Sequence, residues 1–170
     1  LQRTLGTTMI YVTHDQLEAM SMADTIAVMH EGELQQLGTP REVYNKPVNA
    51  WVAGFVGEPA MNFVDVGLQD KDGKTYFIHP NFSIAVNDQQ QHIIAAAARV
   101  NTLRMGVRPD AMSISLVKPK HECITGKIFV TELLGGDMII DVDLDDGSRI
   151  RVKTSTDFDG VEGQTCYMTV

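Results

Sequence analysis

The sequence predicts an α+β protein in which an α/β stretch is followed by an all-β stretch. Three observations predict it. Residues 1–57 alternate helix and strand signals. After Gly57-Glu58-Pro59 the apolar residues fall into period two, between turns rich in Gly, Asp and Asn. Strand candidates in that second stretch follow one another without long helices, which argues for two units divided into residues 1–57 and 58–170.

In chain order, residues 1–5 can only end a helix, and Gly6 suits the left-handed position just past it. Residues 8–13 (TMIYVT) are short, β-rich and almost wholly apolar, as expected of a strand covered on both faces in a parallel sheet. A helix follows, with Asp15 as its cap and Glu18 three residues later at capping-box spacing. Residues 26–29 form a second strand, and Glu31-Gly32 turns the chain tightly into residues 33–37. Thr39-Pro40-Arg41-Glu42 starts another helix: a capping threonine, proline at the first helical position, glutamate three after the cap. Asn45-Lys46-Pro47 ends it, and residues 49–56 make one more short helix.

Beyond Pro59 the strand candidates are residues 62–68, 75–78, 83–86, 104–107, 112–117, 122–134, 138–144, 148–153 and 164–170. Lys71-Asp72-Gly73-Lys74 and Asp145-Asp146-Gly147-Ser148 are hairpin turns, and Gly135-Gly136 joins two further strands. Residues 93–99 (IIAAAAR) fit a short helix or a strand edge equally well. Many short strands in one run suggest a small OB-like barrel.

Composition narrows the function classes. The net charge of −8 is spread along the chain, so a surface of this kind repels phosphate backbones and no nucleic-acid partner is expected. The longest apolar run, residues 93–98, is far short of the roughly 18 residues that span a bilayer. Residues 1–6 lack the basic-then-apolar order of a signal peptide. Cys123 and Cys166 are isolated thiols, and the five histidines show no metal-ligand spacing with them, so no metal site is expected. Asp141, Asp143, Asp145 and Asp146 form an acidic cluster, but Val142 and Leu144 alternate with them. That pattern is a strand with one wet face rather than a calcium loop, whose later glutamate is missing. Trp51, Phe55 and Val56 suggest a helix face packed on an apolar neighbour, either the other unit of this chain or a partner such as a second copy.

The chemistry concentrates at His14. It follows an expected strand and precedes a helix, and in open α/β sheets ligands sit beyond the carboxyl ends of the strands. An imidazole there can donate a hydrogen bond to a terminal phosphate and take up charge near neutral pH.

The run Thr8-Met9-Ile10-Tyr11-Val12-Thr13-His14-Asp15-Gln16-Leu17-Glu18-Ala19 resembles the switch-histidine region of ATP-binding cassette importer subunits. The likeness continues through Ala23-Asp24, Met29-His30-Glu31-Gly32, Gly38-Thr39-Pro40-Arg41-Glu42-Val43-Tyr44, Asn45-Lys46-Pro47 and Phe55-Val56-Gly57. Pro59-Ala60-Met61-Asn62-Phe63 is similar to the maltose and glycerol-phosphate (carbohydrate) type, which carries a C-terminal OB-like (TOBE) regulatory domain. Met105-Gly106-Val107-Arg108-Pro109-Asp110 matches a recurring element of that domain.

The resemblance implies that residues 1–57 end an α/β P-loop ATPase core and that residues 58–170 are the regulatory domain. It makes His14 both the catalytic and the nucleotide-contacting residue, touching the γ-phosphate and helping to align the attacking water. ATP and magnesium belong to the intact parent and neither is expected on this chain. The chain has no G-x-x-x-x-G-K-[ST] loop, no Leu-Ser-Gly-Gly-Gln signature and no apolar run ending in Asp-Glu. Phosphoryl transfer depends on such positioning groups, so the chain alone is expected to be inactive.

The implied parent is a homodimer docked on two membrane permease subunits, cytoplasmic and peripheral on the inner face of the membrane, open to a regulatory protein. It imports a sugar or sugar-like solute. The start without methionine and the missing aromatic-acidic closing segment fit a piece of that longer protein. An interior strand at residues 8–13 without its neighbours has two unpaired edges, so the first sixty residues are expected to be disordered, swapped or aggregation-prone while the barrel folds alone. The rival reading is a free-standing OB-like module that regulates, or binds a small oxyanion of the molybdate kind, without ATPase activity.

Overall fold

A computed structural model describes residues 6–96 and 103–170. The expected helix end at residues 1–5 lies outside the described residues, as do positions 97–99 of the ambiguous alanine-rich run. The chain divides into two compact units, Leu1–Glu58 and Pro59–Val170. The protein is α+β, with a second unit that is mostly β.

In the first unit, helix α1 (Gln16–Met22) is capped by Asp15, whose carboxylate accepts the Glu18 amide at 3.0 Å. Glu18 does not complete the box. Its Oε2 instead accepts the Tyr11 hydroxyl at 3.0 Å and the Thr13 hydroxyl at 3.2 Å. Strands β1 (Ile26–His30) and β2 (Glu33–Gly38) form an antiparallel hairpin around Glu31 and Gly32, both at positive φ as a tight primed turn requires. Helix α2 (Pro40–Asn45) starts in the full capping box expected of Thr39 and Glu42, and α3 (Ala50–Phe55) is capped by Asn49. Val28, Val43, Val52 and Val56 make the core, with Met20, Ile26, Tyr44 and Trp51 packed against it.

One expected strand is corrected. Among the described residues, 8–13 pair with no other strand and belong to no sheet. Ile10 is 93 % exposed and Val12 90 %. β structure needs a partner to take its peptide groups, and among the described residues none lies beside this segment.

In the second unit all nine expected strands form: β3 (Asn62–Lys71), β4 (Lys74–His79), β5 (Phe82–Ala85), β6 (Leu103–Val107), β7 (Ser113–Ser115), β8 (Ile124–Leu134), β9 (Asp137–Asp143), β10 (Arg149–Ser155) and β11 (Thr165–Thr169). Residues 93–96 of the ambiguous run are helical, at the end of α4 (Asp88–Ala96). The strands build two antiparallel sheets, in the orders β5-β4-β3-β6 and β10-β9-β8-β11-β7, and no closed barrel. Both sheets contribute to one core, which includes Val64, Val66, Phe77, Ile124, Ile128, Ile140, Val142, Ile150 and Val152. Gly126 lets β8 lie close to β9, because a Cβ there would collide with the Val142 side chain and the Asp143 carbonyl.

Side-chain amides also tie the two sheets to each other. β10 is an edge strand. Asn62 donates to the Arg151 carbonyl at 2.7 Å and accepts the Arg151 amide at 2.8 Å, taking the place a neighbouring peptide would fill. Asn81, between β4 and β5, does the same work across the seam. It donates to the Thr125 carbonyl at 2.9 Å and accepts the Asp145 amide at 3.0 Å.

Candidate functional site

His14 sits at a bend between the unpaired segment and α1, and its side chain is exposed. Its neighbours are ordered by a compact set of hydrogen bonds. Glu18 reaches back to Tyr11 and Thr13, and the Thr13 hydroxyl accepts the Asp15 amide at 2.9 Å. The bend is therefore held on both sides while the imidazole projects into solvent. The Tyr11 hydroxyl titrates above the usual phenol range, chiefly because it donates to Glu18.

Helix α1 buries no side chain, so apolar packing does little to place it. Gln16, at its first position, supplies a polar anchor. Its Nε2 donates to the Phe55 carbonyl at 2.7 Å and its Oε1 accepts the Gly57 amide at 2.8 Å. Because one partner only accepts and the other only donates, the orientation of the amide is settled. Gln36 makes an equivalent clamp on the Lys46 carbonyl and the Val48 amide, both at 3.0 Å. Sequence reasoning missed these clamps. Gln16 lies inside the same motif as His14, but its partners are 39 and 41 residues away and carry no side-chain signal.

The other sequence features sort differently. Trp51 is sandwiched inside its own unit between His30, at 4.0 Å between ring centroids, and Phe55 at 4.8 Å. Two of the cluster aspartates face arginines on the adjacent strand. Arg151 donates to Asp141 at 2.6 and 3.0 Å, and Arg149 to Asp143 at 2.6 Å, while the Arg149 guanidinium lies 3.5 Å over the Phe129 ring. Asp141 is buried rather than on a fully wet face. Gly135 turns the β8–β9 hairpin at positive φ. Among the described residues no three His, Cys, Asp or Glu side chains gather as a metal site would need.

The structure perturbs Asp146 and Cys166 of the second unit most strongly. His79 is buried, stacked on Phe82, and its Nε2 lies 2.9 Å from Asp146 Oδ2 while its Nδ1 faces the Asn81 amide at 3.2 Å. An amide donor at Nδ1 leaves the neutral ring's proton on Nε2, directed at Asp146. The Asp146 carboxyl is pulled down to about 2, first by the Ser148 hydroxyl and then by His79. Burial pushes the Cys166 thiol up to about 11, which makes it a poor nucleophile at neutral pH.

No family model matches the chain. Individual proteins do. The chain is 41 % identical over 140 residues to the sn-glycerol-3-phosphate import ATP-binding protein of Vibrio vulnificus, covering 82 % of this chain and 35 % of that protein. It is 42 % identical over 145 residues to the trehalose/maltose import ATP-binding protein of Thermococcus litoralis, covering 82 % and 38 %. With the multiple sugar-binding transport ATP-binding protein of Streptococcus mutans it shares 38 % identity over 159 residues, covering 82 % and 40 %. The chain thus spans less than half the length of the relatives it matches.

Proposed function

From homology over 82 % of its length to ATP-binding subunits of sugar-import ABC transporters, we propose that this chain is the C-terminal part of such a subunit. Residues 1–57 end the ATPase core, and residues 58–170 are its regulatory domain. The parent binds ATP with magnesium, works as a homodimer on membrane permease subunits at the cytoplasmic face, and imports a sugar or sugar-like solute. A regulatory protein docks on the second unit.

Within this reading His14 contacts the γ-phosphate and helps to align the attacking water. An exposed imidazole on a hydrogen-bonded bend supports that role, since it can approach an oxyanion without first being unburied. The remaining phosphate-handling groups come from the rest of the parent, so this chain alone does not hydrolyse ATP. The observation that carries the proposal is the sustained identity of about 40 % with several import ATP-binding proteins.

The test is to read the source gene upstream of the Leu1 codon in the same frame. A phosphate loop, a Leu-Ser-Gly-Gly-Gln signature and an apolar strand ending in Asp-Glu are expected there. A start codon close by would overturn the proposal in favour of a free-standing regulatory or oxyanion-binding module, which molybdate titration would then examine directly.

A further inference from the structure

We infer that Gln16 is the positioning residue for His14, acting through its two-point clamp on the backbone of residues 55–57. The inference rests on the proposed role of His14 at the γ-phosphate and adds to it a residue that touches neither nucleotide nor water. The reasoning is geometric. His14 is joined to α1 through Asp15 alone, so the position of the imidazole follows the first turn of that helix. α1 has no buried side chain, and among the described residues it reaches the valine core of the unit through the partly buried Met20. The Glu18 bonds to Tyr11 and Thr13 shape the bend but are local, within seven residues, and cannot fix it relative to the rest of the unit. The Gln16 amide does so, at 2.7 Å to the Phe55 carbonyl and 2.8 Å to the Gly57 amide.

Its anchor is firm. Phe55 closes α3, Val56 is buried in the core, and Val56 donates to the Val52 carbonyl at 2.9 Å. A donor and an acceptor held two residues apart suit one primary amide and no other common side chain of that length. Loss of the clamp leaves His14 on a helix free to shift, and a displacement of about 1 Å at a reacting centre can lower a rate by about 100-fold.

The experiment is steady-state ATP hydrolysis by the full-length subunit in its transporter, with His14→Ala, Gln16→Met and the double variant. His14→Ala is expected to lower kcat by at least about 100-fold, within the range for a positioned hydrogen-bond donor at a site of developing charge. Gln16→Met fills the same volume without hydrogen bonds. It is expected to lower kcat by about tenfold or more with KM for ATP changed less than about twofold. In the double variant kcat equals that of His14→Ala, because Gln16 acts only through the imidazole.

Gln16→Glu keeps the acceptor for Gly57 and loses the donor to Phe55. Two acceptor oxygens then face each other at Phe55, so it is expected to lower kcat at least as far as Gln16→Met, and it carries the test should Gln16→Met fail to fold. Wild-type kcat in both Gln16 variants, or losses that multiply in the double variant, would overturn the inference while leaving the role of His14 intact. Wild-type kcat in His14→Ala would overturn the reading of His14, and the positioning role would fall with it.

Discussion

The two units solve the same problem with unequal means. The second packs two antiparallel sheets around a continuous core, and its hydrogen-bond seam is finished by Asn62 and Asn81. The first has four valines at its centre, leaves Ile10 and Val12 almost wholly in solvent, and relies on Gln16 and Gln36 to hold its loops. The lesson is that a side-chain amide can stand in for a missing peptide neighbour, whereas nothing local can stand in for a missing apolar one. Unsatisfied backbone groups find partners one at a time, but apolar surface is removed from water only by an extended covering layer.

The comparison breaks first at the second unit's core. Ile140 is fully buried, and Ile140→Ala is expected to cost about 2–5 kcal/mol in denaturant unfolding. A loss below about 1 kcal/mol would show that the two sheets do not share one packed interior. Next in size is Gly126→Ala, expected to cost about 1–3 kcal/mol because the new methyl group overpacks against Val142.

Asn62→Leu removes the clamp from the β10 edge and strands the Arg151 peptide groups, with an expected loss of about 1–3 kcal/mol. An unchanged unfolding midpoint would show that the amide is ornamental.

The acid response of the second unit sharpens the contrast further. The Asp146 carboxyl is held down at about 2, below its ordinary value of 3.8, so the folded state favours its charged form. That stability is fully present above the unfolded value and is lost as pH falls from about 4 toward 2. Asp146→Asn should flatten unfolding midpoints over this window relative to wild type. An identical acid limb in the two proteins would remove Asp146 from the account.

The smallest effect is expected in the first unit. Ile10→Lys, at a position 93 % exposed, should change stability by less than about 0.5 kcal/mol while reducing self-association seen by light scattering. A loss above 1 kcal/mol would mean that residues 8–13 are covered in solution.

Features that depend on near neighbours in the chain are written in the residues themselves. The nine strands of the second unit, the Thr39–Glu42 capping box and the Glu31-Gly32 turn were all legible from the sequence, because period-two patterning, caps and positive-φ turns are encoded within a few residues. His14 stood out for the same reason, at the junction of an apolar run and a helix cap. The sequence also read residues 8–13 as a strand. Composition alone makes a segment fit to be a strand, but only a neighbour's peptide groups make it one.

The remaining contacts arise only on folding. Tertiary structure alone joined Gln16 to residues 55 and 57, His79 to Asp146 across 67 positions, and Asn62 to Arg151 across 89. It turned an acidic cluster into cross-strand pairs with Arg149 and Arg151, and it left nine strands as two sheets rather than a closed barrel. Contacts of that kind depend on register and packing between segments far apart in the chain, where no local pattern of residue types records which groups will meet.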